Sequence, residues 1–108
     1  MKIDLGSLTD SRAQSISGHE RGVHARVEFR LDDLDRLDEV VEVVVPDHVK
    51  AIATSFFQGM FSKSVQAFGS KDAFLKHYKF LAQPLVVEQI LKGVERSLTR
   101  RNGSAFER

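Results

Sequence analysis

Residues 39–69 read EVVEVVVPDHVKAIATSFFQGMFSKSVQAFG: a β-branched run, a short polar stretch, then apolar positions at helical spacing. The run at 40–45 has the composition of a strand covered on both faces within a mostly parallel sheet. Glu42 is its discordant residue, placed near an edge or against a partner. Pro46 has no N–H to give to a ladder and ends the strand. After a loop over 47–54, Ser55 supplies a cap for a helix over 55–68, on which Phe57, Phe61, Val65 and Phe68 form one stripe that Phe56 and Met60 widen. Such a stripe is core packing rather than a cofactor box. Gly59 inside that helix costs about 1 kcal/mol against alanine, so a close neighbour is expected there. Gly69 is a natural stop, and Ser70 caps a short helix over 70–76.

The flanks are less regular. Residues 2–5 suggest an opening strand, 6–12 carry turn chemistry, and 13–16 form a second strand pairing back on the first. Ser17-Gly18-His19-Glu20 has the form of a capping box. Beyond it Val23, Ala25, Val27, Phe29 and Leu31 alternate as in a strand, whereas Gly18, Gly22, Ala25 and Phe29 recur as on one helical face. The small residues on that face favour a helix over 18–30 that another backbone approaches closely. LDDLDRLD at 31–38 reads as an acidic, solvated connection. HYKFL at 77–81 is a strand with Tyr78 and Phe80 on one face. Pro84 suits a first helical turn, and Val87, Ile90, Leu91, Val94 and Leu98 mark the core stripe of a helix over 85–100. Lys92, Arg96, Arg100 and Arg101 complement its dipole.

At 108 residues the pattern fits one α/β domain over 1–101 with a frayed tail at 102–108. Sixteen Lys and Arg against fifteen Asp and Glu leave a net charge of +1, so no global field favours nucleic acid or an anionic membrane. The basic end of the last helix also carries Glu88 and Glu95 and lacks interleaved aromatics. Without cysteine there are no disulfides or thiolate ligands, which suits a reducing compartment. No apolar run reaches membrane-spanning length and the first residues are not a signal peptide, so a cytoplasmic location is expected. His19, His24, His48 and His77 show no metal-ligand spacing, and Glu20 and His24 at i, i+4 read as a surface pair. Neither a nucleophile elbow nor a glycine-rich phosphate loop is present, and no cofactor or enzymatic activity is expected.

The strand, loop and helix in VEVVVPDHVKAIATSFFQGMF resemble the STAS-like domains, relatives of the sulfate-transporter and anti-sigma-factor-antagonist module, in which a buried strand precedes an "I-[TS]-x-S-F" element opening a helix. SGHERGVHAR upstream, SVQAFGSKDAFLKHYKF and the last helix extend the likeness over about 17–100. The resemblance implies a small, mostly parallel α/β sandwich of bacterial type that acts through protein contacts, in a branch largely without an assigned biochemical function. It also implies a switch by phosphorylation at this helix start, with Thr54 at the acceptor position. This chain has Ala53 where the family motif has Asp, and Phe56 where it has Gly.

Two expectations follow for the site. The first is a regulatory or adaptor surface for an unidentified protein partner over 47–58, comprising Asp47, His48, Lys50, Thr54, Ser55 and Gln58. The second adds Ser17 and Gly18: if both helices begin on one sheet edge, their free N–H groups and dipoles form a site for a small anion such as a nucleotide. Self-association is a third mode on which the sequence is silent.

Overall fold

The computed structural model describes residues 1–10 and 12–106, with side chains through Thr99. Among the described residues, five helices and two parallel sheets make an α/β fold. Strands β1 (Lys2–Asp4), β3 (Val41–Val44) and β5 (Tyr78–Leu81) form the larger sheet in the order β1-β3-β5. The smaller sheet pairs β2 (Ser15–Ile16) with β4 (Ala51–Ile52). Helices α1 (His19–Glu28), α2 (Leu31–Leu34), α3 (Thr54–Phe68), α4 (Lys71–His77) and α5 (Pro84–Phe106) complete the chain, with a 3-10 turn at Leu5–Leu8.

The strand order advances in one direction, so right-handed crossovers place both connecting helical layers on the same face of the sheet. Burial agrees: Ile3, Val41, Val43 and Tyr78 are buried, whereas Lys2, Asp4, Lys79 and Leu81 on the other face are exposed. The expectation that residues 40–45 are covered on both faces is thereby corrected. Only alternate residues of β3 are buried, and Glu42 lies on the open face of the central strand, in register between Lys2 and Lys79.

The phenylalanine stripe fills the space beneath the sheet as expected. Phe57 stacks on Phe61 at 5.2 Å between ring centroids, and Phe61 meets Tyr78 and Phe80 edge-on at 5.4 and 5.3 Å. Each buried Phe contributes about 1.5–3 kcal/mol. Phe57 also packs on α5 at Gly93, where an added Cβ would stand 2.5 Å from its ring. The buried stripe of α5 is Val86, Ile90, Gly93, Val94 and Ser97, so Val87 and Leu91 lie at its margin rather than its centre. The tail expected to fray from Asn102 overlaps α5, which runs to Phe106, and its last residues, 107–108, lie outside the described residues.

Helix is the outcome for α1, and its small residues meet α3 as the spacing suggested. Other local expectations fail for identifiable reasons. The cap positions of α1 and α3 are Gly18 and Ala53, which have no side-chain acceptor, so neither the Ser17 capping box nor a Ser55 cap forms. Ser70 does cap α4, accepting from the Ala73 N–H at 3.1 Å, and Gly69 ends α3 at φ 85°. Strand β2 pairs with β4 rather than back with β1. Residues 31–38 are more than a solvated connection: Leu31 and Leu34 of α2 are buried, and Asp35 enters a buried ionic network.

Candidate functional site

The short parallel pair β2 and β4 brings the starts of two helices together. Ser15 is in register with Ala51 and Ile16 with Ile52, and the Ala53 N–H donates to the Ile16 carbonyl at 2.9 Å. The Lys50 N–H donates to the Gln14 carbonyl at 2.7 Å, and Gln89 of α5 accepts from the Ile52 N–H at 2.7 Å. Ser17 and Gly18 therefore lie beside Ala53, Thr54 and Ser55, as the sequence reading required for its anion site. From there α1 and α3 run in the same direction, with Gly22 against Phe56 and Met60 and Arg26 against Met60 and Ser64. Parallel helices with adjacent starts add their positive dipole ends. Neither cap residue, Gly18 or Ala53, makes a side-chain cap bond to a first-turn N–H group. Ser17 and Ser55 are exposed there; Thr54 and Gln58 are half-buried.

The remaining predicted residues lie on the loop from β3 to β4. Asp47 belongs to a separate crevice of about 580 Å³ at the carboxyl ends of β3 and β5, together with Val44, Pro46, Leu81 and Gln83. The half-buried His48 has its Nε2 fully enclosed, with no hydrogen-bond partner among the described residues.

A second constellation escaped the sequence reading. Arg26 of α1 is buried, and its guanidinium donates through Nη1 to the Met60 carbonyl at 3.0 Å and Ser64 Oγ at 2.8 Å. Nη2 donates to Asp35 Oδ2 at 2.9 Å and to Asp32 Oδ1 at 2.7 Å, and Nε also reaches Asp32 Oδ1 at 3.2 Å. Asp35 accepts further from Ser64 Oγ and from the Tyr78 hydroxyl. Every guanidinium N–H thus has an acceptor, and four elements are tied at one point. Burial, reinforced by the bond to Asp35, pushes the Tyr78 hydroxyl well above its ordinary pKa. The Arg26 guanidinium holds the Asp32 carboxyl below its ordinary value, through the hydrogen bond first and charge second, and Lys63 and Arg36 add to the effect.

Beside this network lies a cleft of about 400 Å³ walled by Arg26, Asp32, Asp35, Arg36, Lys63 and Phe68. The sequence carried a signal for it. Arg26 stands on the small-residue face at four residues from Gly22, and Ser64 falls in the phenylalanine stripe between Phe61 and Phe68. Polar groups at stripe positions imply buried partners.

Among the described residues no three or more His, Asp or Glu side chains are grouped to hold a metal ion, and no helix is long and apolar enough to cross a membrane. Comparison with protein-family models, with curated proteins and with solved structures finds no match to this chain.

Proposed function

We propose that this chain is a non-enzymatic regulatory or adaptor module of the STAS-like type, of bacterial and cytoplasmic character, that binds a protein partner through residues 47–58. One observation carries the reading: the β2–β4 pairing sets Ser17 and Gly18 beside the start of α3, making one face from two distant stretches of sequence. On it the exposed Ser17, Lys50 and Ser55 offer polar contacts. The enclosed Nε2 of His48 supports a loop shaped for contact, since an unpaired buried nitrogen costs about 1–3 kcal/mol that a rearranged, partner-bound loop would relieve. Thr54 is the residue at which phosphorylation would alter this face, adding charge beside the first-turn N–H groups. Affinity capture from the native host tests the proposal. Partners recovered with the wild-type chain are expected to be lost on Thr54→Glu or His48→Ala substitution, and retention of all of them in both variants would assign the interaction elsewhere.

The uncapped helix starts favour a second reading, binding of a small anion such as a nucleotide between Gly18 and Ser55. A ligand selective for the folded chain raises its Tm by mass action. A panel of nucleotides and phosphorylated metabolites that leaves the Tm unchanged rules this reading out.

A further inference from the structure

The cleft beside Arg26 has the parts of an anion receptor, and one of its own carboxylates fills it. Arg26 is the fixed part: its side chain is 10% exposed and is clamped from behind by Asp35, Ser64 and the Met60 carbonyl. What remains is the Nε–Nη2 edge, the two-pronged face with which a guanidinium grips a phosphate or carboxylate. Both prongs converge on a single oxygen, Oδ1 of Asp32. Asp32 is the movable part, because its side chain is 76% exposed while the arginine beneath is held. Arg36 and Lys63 share the cleft wall. Asp35 is committed to Arg26, Ser64 and Tyr78, so Asp32 is the carboxylate free to leave, and its departure leaves Arg36, Lys63 and the open arginine edge around the space. Ala67 and Phe68 supply an apolar wall next to these cations.

We propose that this cleft binds the phosphoryl group of a small organic phosphomonoester, with Asp32 acting as an internal stand-in that the ligand displaces from Arg26. With Asp35 offsetting one of the three cations, a phosphoryl dianion matches the charge that remains better than the single charge of Asp32 does. The clamp on Arg26 lowers the ordering cost of binding, since the receptor edge is already in place. The organic portion packs on Ala67 and Phe68. This site sits beside the C-terminal half of α3, away from the helix starts, and is independent of the function proposed for residues 47–58.

Phenyl phosphate titrated by calorimetry into the full chain is the direct test, with inorganic phosphate as the comparison. Removing the competitor by Asp32→Asn is expected to tighten phenyl phosphate binding by about tenfold, as befits one displaced ionic contact. Asp32→Ser serves as a second variant should the asparagine keep the bond to Arg26. Adding Arg36→Ala or Lys63→Ala to the Asp32→Asn chain is expected to weaken binding several-fold, and Thr54→Glu is expected to leave it unchanged. Failure of both Asp32 variants to bind phenyl phosphate, or binding indifferent to Arg36 and Lys63, overturns the proposal. Loss on Thr54→Glu reassigns the anion to the helix starts. Equal affinity for inorganic phosphate overturns the apolar part of the assignment.

Discussion

Gly22 and Gly59 set the separation of α1 and α3. A Cβ on Gly22 would lie 2.2 Å from the Phe56 carbonyl oxygen and 3.0 Å from Gly59 Cα, and one on Gly59 would lie 2.1 Å from the His19 carbonyl oxygen. Backbone atoms fill the space on both sides, so no side-chain rotation relieves the clash. Because the same two helices start side by side at Gly18 and Ala53, this contact also sets how Ser17 and Gly18 lie against Ala53, Thr54 and Ser55.

Alanine at either glycine is therefore expected to destabilise the fold by at least about 3 kcal/mol, the upper end for overpacking, because the helices must separate. Gly69→Ala is the control. Nothing lies within 4 Å of a Cβ there, and only the left-handed φ of 85° opposes it, for a cost of about 1 kcal/mol. Urea midpoints of the three variants give the comparison, and equal losses at Gly22 and Gly69 would contradict the close approach.

The Arg26–Asp35 pair predicts a second ordering. Asp35→Ala strips a buried guanidinium of its inner carboxylate and leaves Ser64 and Tyr78 short of an acceptor, which is expected to cost about 3–5 kcal/mol. Tyr78→Phe removes one hydrogen bond to a charged acceptor, at about 1.5–3 kcal/mol. Arg26→Met is expected to cost less in an Asp35→Asn background than in the wild type, with a coupling of about 1–3 kcal/mol in a double-mutant cycle. Additive losses would show that the two side chains do not act as a pair.

The same residues show where sequence reading succeeds and where it stops. The phenylalanine face of α3 was legible because burial repeats with the helical period, and Gly69 and Ser70 because their chemistry is local; the β-branched run marked β3 as a strand but, having no alternation, hid that only one of its faces is buried. Strand β4 was not, since two residues carry no alternation and their pairing with β2 is a property of the fold. The helix starts were displaced for a related reason: the β2–β4 pairing and the Gly22–Gly59 contact decide where each helix begins, and they put Gly18 and Ala53 at the caps instead of Ser17 and Ser55. The acidic run at 31–38 misled most. Its charges outnumber its leucines, yet Leu31 and Leu34 are the buried pair, and Asp35 follows them inward because Arg26 waits there.

Acid sensitivity should carry the mark of Asp32. Its folded pKa lies below its unfolded value, so its contribution is fully present above about pH 4 and is lost as pH falls through the lower, folded value. The stability difference between the wild type and Asp32→Asn is expected to be constant near neutrality and to shrink below about pH 4. Because Asp32 is exposed, the difference should also narrow with added salt. Denaturant titrations at several pH values and two ionic strengths measure both effects, and a gap that widened on acidification would contradict the sign.

Alkaline titration offers the sharpest reading, because Tyr78 is the only tyrosine and there is no tryptophan. Phenolate absorbance thus reports one side chain. Burial and the bond to Asp35 raise the folded pKa of Tyr78, so its share of stability is fully present below about pH 10, where the unfolded phenol begins to ionise, and is lost as pH rises toward the folded value. The native chain is expected to show no phenolate signal near about pH 10. The signal should appear only with loss of circular dichroism, as unfolding releases the hydroxyl. Tyr78→Phe should flatten the alkaline limb of the stability curve while lowering its plateau. An Asp35→Asn chain that stays folded should ionise at lower pH than the wild type, since the neutral amide no longer disfavours the phenolate. Reversible ionisation near about pH 10 in the folded wild-type chain would place Tyr78 in contact with solvent and break the network at its centre.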